Sequence, residues 1–181
     1  MRLNQLGFIL PFMIFAAIVV VLWRGLQLHP DHIPSPFINK AAPGFALPDL
    51  FNSKKIRTEK ELAGQVTLVN VWATWCTSCA EEHTALLALA REQQVLFFGW
   101  NYKDDPLVAR DWLKQHGNPY FMTVMDGDGR AAIDWGVYGT PETFVVDKKG
   151  VIRYRHIGPI DAEVWENTLK PLLETLRKTP A

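Results

Sequence analysis

The chain lacks the features that define several protein classes. Only two of its 181 residues are cysteine, Cys76 and Cys79, too few for a multi-disulfide secreted scaffold or a four-cysteine zinc site. Neither sign of charge is in excess: 19 Lys and Arg stand against 19 Asp and Glu. That balance excludes both the basic footprint of a nucleic-acid binder and an acidic disordered tail. No internal repeat or low-complexity segment is present. Polar residues are missing altogether from one stretch, the 18 positions Leu6 to Trp23, which hold no charge, Asn, Gln, Ser or Thr. As a helix it would measure roughly 27 Å, close to the apolar thickness of a bilayer. It lacks the small-residue cleavage site of a signal peptide and the polar face of a soluble helix. The expectation is an uncleaved transmembrane anchor over residues 1–24. Four prolines between Leu28 and Pro43 mark a semi-extended tether over residues 25–43, which leaves residues 44–181 as the folded domain.

What is present is enough to fold: 48% of the residues are hydrophobic and 12% aromatic, so a domain of this length buries a core. Phe45 to Leu50 reads as a strand that turns at Asn52-Ser53 into a hairpin. A short helix follows, opened by a Thr58/Glu61 capping box and closed by Gly64. The run Val66 to Trp72 is nearly continuous, apolar and β-branched, the pattern of a strand buried on both faces. A helix with Leu86, Leu89 and Ala90 on its apolar stripe follows, then a second buried strand, Val95 to Tyr102. Asp105-Pro106 supplies an N-cap and a first-turn proline for another helix, ended by Gly117. Met122 to Met125 is a short strand, Arg130 to Trp135 a helical turn. Asp147-Lys148-Lys149-Gly150 joins Thr143–Val146 to Val151–Tyr154 as an antiparallel hairpin. Asp161 caps a last helix, which Pro171 should bend. Parallel β-α-β units followed by a hairpin and a closing helix make an α/β sandwich with a mixed sheet.

The two cysteines lie where a buried strand ends and a helix begins. Free amide groups and the helix dipole at that place favour a thiolate on Cys76, and Cys79 lies one turn further along. Cys76 is then the attacking thiol and Cys79 the resolving one in dithiol–disulfide exchange. A static disulfide closing so small a loop stabilises little. Zinc would need remote ligands beyond His83, and covalent haem attachment would need a histidine where Ala80 stands. Glu82, three residues beyond Cys79, is either a proton acceptor for the resolving thiol or an ordinary solvated glutamate. Glu81 reads as solvated, and His83 as a second buffer or a structural histidine. In Gly136 to Phe144, two glycines and Pro141 precede a strand, and either a cis or a trans bond fits there.

Taken together, Asn70-Val71-Trp72-Ala73-Thr74-Trp75-Cys76, Asn101 to Asp105, Gly117 to Tyr120, Asp126 to Gly129, Gly136 to Phe144 and Ile152 to His156 resemble one family. It is the CcmG/DsbE group of membrane-anchored, thioredoxin-like proteins of bacterial cytochrome c maturation, and the likeness runs from about Ala42 to Leu176. The resemblance implies a thioredoxin-like fold, a mixed central sheet flanked by helices, with an N-terminal β-hairpin and an N-terminal transmembrane helix. It implies a single-pass protein of the bacterial inner membrane with its catalytic domain in the periplasm, working without a cofactor. A DsbD-type membrane electron donor would keep it reduced. It would in turn reduce the Cys-x-x-Cys-His cysteines of apocytochrome c, directly or through a CcmH-type partner. Carried over by residue, Cys76 is the nucleophile, Cys79 the resolving thiol and Pro141 a cis-proline beside them. Trp75, Thr140 and Pro141 receive the substrate, while Glu82 and Glu142 match acidic residues that tune the site. Asn70 replaces the buried Asp of ordinary thioredoxins, and Thr77-Ser78 replaces the Pro-Thr usual between the family's cysteines. Two other readings share the dithiol: a general periplasmic disulfide exchanger, and a Cu(I)-binding metallochaperone.

Overall fold

The computed structural model describes residues 3–26, 36–92 and 94–180, in two compact units, Met1–Pro34 and Ser35–Ala181. The first contains helix α1 (Leu3–Leu26), and here the structure corrects the sequence reading. Among the described residues no helix is long and apolar enough to cross a membrane. The expected single-pass anchor and inner-membrane localisation therefore do not hold. Much of the expected tether, residues 27–35, lies outside the described residues.

In the second unit, β1 (Ala46–Pro48) and β2 (Ile56–Thr58) pair antiparallel. They do not extend the central sheet but form a separate two-stranded sheet. The 3₁₀ turn that follows (Glu59–Leu62) is not closed by the expected capping box, since the Thr58 side chain caps nothing. Arg57 takes the Glu61 carboxylate instead, at 2.9 Å, and reaches Asp49 at 2.7 Å. A charge-assisted pair with a guanidinium outcompetes a neutral cap.

The central sheet has the strand order β5-β4-β3-β6-β7, with β3 (Thr67–Trp72), β4 (Phe97–Tyr102), β5 (Tyr120–Asp126), β6 (Glu142–Val146) and β7 (Ile152–Ile157). Helices α2 (Thr77–Glu92) and α3 (Pro106–His116) connect the parallel strands β3, β4 and β5, whereas β6 and β7 run antiparallel. The sheet is mixed and flanked by helices, and the fold is thioredoxin-like. Asp105 caps α3 through the amides of Leu107 and Val108, at 2.7 and 3.2 Å, as its sequence signal predicts.

Alternation along the strands divides the core into two layers. Leu68, Trp72, Phe97 and Val145 face one way, against Cys79, Leu86 and Leu89 of α2 and Leu113 of α3. Val69, Val71, Phe98, Trp100, Phe144 and Val146 face the other way, against Phe45, Ala132 and Trp135. In that second layer the Trp100 ring packs 4.9 Å from Phe45 and 5.1 Å from Trp135. A one-residue slip of β3 would exchange the layers, so register is strongly fixed.

After a short turn α4 (Arg130–Asp134), the chain closes with α5 (Ala162–Val164), a π-helical stretch (Trp165–Leu169) and α6 (Lys170–Lys178). Pro171 lies in the first turn of α6. The proline has no N–H to give and its ring would crowd the preceding turn, and the wider π turn just before it removes that conflict.

Candidate active site

Strand β3 ends at Trp72 and α2 begins at Thr77, so Cys76 occupies the residue that caps the helix. Cys76 and Cys79 are joined as a disulfide with their Cα atoms 5.3 Å apart. The Cys79 amide donates to Cys76 Sγ at 3.1 Å, which places that sulfur on the unpaired N–H groups of the helix start. No acidic residue occupies the first turn of α2. Developing negative charge on Cys76 is thus met by the helix dipole without a competing carboxylate. Both cysteines are nearly buried, Cys76 6% and Cys79 4% exposed.

The loop ahead of Cys76 is clamped from the end of β4. Asp104 accepts the Thr74 amide at 2.6 Å and the Thr74 hydroxyl at 2.8 Å, and Asn101 Nδ2 donates to the same carboxylate at 3.1 Å. The Trp75 indole N–H donates to the Lys103 carbonyl at 3.0 Å, yet the ring remains 57% exposed. An anchored, exposed aromatic beside a disulfide is suited to meeting another chain.

Glu82 is not a solvated glutamate. It is 3% exposed, and its two oxygens accept from Asn70 Nδ2 at 3.0 Å and from the Ile160 amide at 2.8 Å. Burial pushes its carboxyl up to about 7, against the downward pull of the Ile160 and Asn70 hydrogen bonds. Asn70 is the hub: its Nδ2 also donates to Thr143 Oγ1 at 3.0 Å, and its Oδ1 accepts the Tyr120 hydroxyl at 2.8 Å. Burial, and then the Glu82 carboxylate, push the Tyr120 phenol well above its ordinary value, which keeps it a donor.

Tyr120 has room for its ring because it lies across Gly99 of β4, the register partner of Thr123. A Cβ on Gly99 would lie 2.8 Å from both Thr123 Oγ1 and Tyr120 Cγ. Gly99→Ala is therefore expected to displace the ring, detach it from Asn70 and destabilise the fold by about 1–3 kcal/mol, the usual cost of overpacking. Urea unfolding measures this, and an unchanged midpoint would contradict the assignment.

His83 is buried as well. Its Nε2 lies 3.0 Å from the Gly117 carbonyl and its ring packs edge-on to Trp112 at 4.4 Å. Burial pushes its imidazole below the ordinary value. It ties α2 to the end of α3, which fits the structural reading better than the buffer.

Glu142 lies elsewhere. The Thr140–Pro141 bond is cis. In the β3–β6 ladder Val71 faces Glu142, so Pro141 comes one step later, beside the end of β3 that leads to Cys76. Along β6, Glu142 alternates with Thr143 and shares the side of Phe144 and Val146, the layer away from α2. Its Oε1 accepts the amides of Tyr138 and Gly139 at 2.8 and 3.0 Å, and its Oε2 accepts Arg155 Nε at 2.8 Å. Sequence reasoning assigned no role to Tyr120, Asp104 or Arg155. A polar tip in a strand, and an Arg and a Glu on two strands of one hairpin, were the available signals, but strand register decides which residues meet. Among the described residues there is no group of three or more His, Cys, Asp or Glu that could hold a metal ion.

Comparison with known proteins bears on this geometry. Residues 38–173 match the Redoxin family. A thiol:disulfide interchange protein DsbE from Allochromatium vinosum is 48% identical, with 91% of each chain covered. The protein of that name from Escherichia coli strain K12 is 42% identical, with 96% of each chain covered. Among solved structures, a secreted thiol-disulfide isomerase from Corynebacterium glutamicum has a TM-score of 0.66 over 82% of this chain and 97% of that chain, at 21% identity. That likeness is one of fold.

Proposed function

Since the chain belongs to the Redoxin family and is homologous along most of its length to DsbE-type thiol:disulfide interchange proteins, we propose that it is a periplasmic thiol:disulfide oxidoreductase that reduces disulfides during cytochrome c maturation. The observation that carries the reading is the Cys76–Cys79 pair at the start of a helix with buried Glu82 one turn beyond it.

The cycle starts from the dithiol. Cys76 Sγ, as thiolate, attacks one sulfur of the client disulfide; the other client sulfur departs with the electron pair and takes a proton. The mixed disulfide is then attacked by Cys79, whose proton passes to Glu82, a base matched to neutral pH. The second client sulfur leaves as thiolate. In sum two electrons pass to the client, whose sulfurs take their protons from water, the Cys79 proton rests on Glu82 until solvent removes it, and the protein becomes the disulfide. Trp75, Thr140 and Pro141 receive the client chain, with Thr140 offering its backbone in the manner of strand addition. A DsbD-type membrane donor returns the two electrons. The client is the Cys-x-x-Cys-His pair of apocytochrome c, or a CcmH-type protein that passes the electrons on.

The test is equilibrium titration of the Cys76–Cys79 couple against glutathione, paired with reduction of an oxidised Cys-x-x-Cys-His peptide. We expect a reducing couple and accelerated peptide reduction. A couple as oxidising as that of a dedicated oxidase, about −120 mV, would overturn the direction of electron flow.

A further inference from the structure

The loop Tyr138–Pro141 enters β6 beside the end of β3 that runs on to Cys76, and what holds it lies on the other face of the sheet. Glu142 is 1% exposed and spends both oxygens, one on the Tyr138 and Gly139 amides, the other on Arg155. Arg155 is as deeply placed, with a side chain 3% exposed and Nη2 at 2.7 Å from Glu142 Oε2. Its guanidinium lies 4.8 Å from the centre of the Tyr138 ring and 5.7 Å from that of Phe144. The register places Arg155 opposite Phe144, so Arg155 and Glu142 are diagonal neighbours on one face of the β6–β7 pair. That face is the layer of Val69, Val71 and Trp135, whereas Cys76, Cys79 and the partners of Glu82 belong to the opposite one.

Three consequences follow. First, the strand backbone separates Glu142 from the thiols, and its lone pairs are already engaged. Second, an ion pair removed from water on this scale does little for stability, so what it contributes is geometry. Third, the geometry it fixes is that of the peptide-receiving loop: two consecutive amides are held from below by one oxygen, and the Tyr138 ring, itself 69% exposed, is held by the cation beneath it. A cation under an aromatic face holds the ring flat against the surface, in position to meet a client side chain.

We infer that Arg155 and Glu142 form a positioning pair that sets the Tyr138–Pro141 loop and the Tyr138 ring for an extended client chain, and that Glu142 does not tune the thiols. Arg155 is in this sense a specificity residue. It governs how tightly a polypeptide disulfide is held and not how fast the sulfurs react. The inference rests on the reductase reading above and assigns the two acidic residues of the site different work: Glu82 handles the proton, Glu142 the loop.

The experiment compares wild-type full chain with Arg155→Met on two disulfides, an oxidised Cys-x-x-Cys-His peptide and a small aryl disulfide that has no backbone to dock. Removing Arg155 alone leaves a buried carboxylate unpaired, so the double variant Glu142→Leu, Arg155→Met, which keeps no buried charge, is measured beside it. For both variants KM for the peptide should rise about tenfold or more, the equivalent of about 1.4 kcal/mol, with kcat within twofold. The aryl disulfide rate and the equilibrium constant against glutathione should stay within twofold of wild type. A tenfold change in that equilibrium constant, or a shifted pH profile with the aryl disulfide, would show that the pair tunes the thiols and would overturn the inference. An unchanged KM for the peptide in both variants would overturn it equally. Wild-type protein that reduces the aryl disulfide but not the peptide would instead remove the cytochrome reading, and this inference with it.

Discussion

Cys79→Ala is expected to turn the protein from a catalyst into a trap. With no resolving thiol, Cys76 still attacks a client disulfide, but the mixed disulfide has no internal exit. Turnover should fall by about three orders of magnitude or more, and covalent adducts should accumulate that a reducing agent releases. The chain has no third cysteine, so no other thiol can rescue the intermediate. Cys76→Ser should show the same loss of turnover with no adduct at all, because Cys79 is 4% exposed and sits inside the helix instead of at its cap. Mass spectrometry of adducts formed in periplasmic extract would name donor and client together. Cytochrome maturation components among them would support the proposed role. A broad set of unrelated secreted proteins would identify a general exchanger, and adducts on Cys76→Ser would reverse the assignment of the two sulfurs.

The second large effect concerns Glu82. Its carboxyl titrates at about 7 in the folded protein, chiefly because it is buried, against an ordinary 4.5. The folded state therefore holds a proton that the unfolded chain has already lost. The sign follows: between pH 4.5 and 7 the native state binds more protons, so stability falls as pH rises. The difference of about 2.5 pH units corresponds to about 3 kcal/mol, absent below pH 4.5 and complete above pH 7. Glu82→Gln removes the titration. Gln accepts the Ile160 amide as Glu82 does, and Asn70 can flip its amide to receive the new NH₂ because its other partners, the Tyr120 and Thr143 hydroxyls, either donate or accept. The stability of Glu82→Gln relative to wild type should thus rise by about 3 kcal/mol from pH 4.5 to pH 8, read from urea unfolding at each pH. Parallel pH profiles for the two proteins would refute a raised Glu82. The same variant should slow the second half of the reaction, the step that needs Cys79 deprotonated, while leaving formation of the mixed disulfide intact.

Much of this molecule was legible from local pattern. The buried strand ending at Trp72, the Cys-x-x-Cys start of a helix and the Asp105-Pro106 cap each depend on a few consecutive residues, and each is found where the sequence places it. The α/β order was legible for the same reason. What escaped depends on strands meeting. That Asn70 would face Thr143, that Gly99 would make room for Tyr120, and that Glu142 would share a face with Arg155 are consequences of sheet register, including the irregularity in β6–β7 at Val145/Val146. The capping box failed because Arg57 made a stronger claim on Glu61 than the backbone did. The anchor was inferred from a long uncharged run with neither a cleavage site nor a polar face, and no helix long and apolar enough to cross a membrane is found among the described residues. In Glu82, by contrast, spacing correctly brought a carboxylate to the cysteines' helix face. Its burial required Ile160, 78 residues away, which no helical spacing contains.

That distant amide carries information of its own. The Ile160 N–H donates to one oxygen of the Glu82 carboxyl, so its hydrogen bond is charge-assisted in one protonation state and neutral in the other. In a ¹⁵N-labelled sample this single backbone resonance is a built-in indicator, moving with the Glu82 titration while the sulfurs remain untouched. The protein thus reports its own proton inventory from the turn that leads into its last helix, in a position where neither client nor donor has to bind for the reading to be taken.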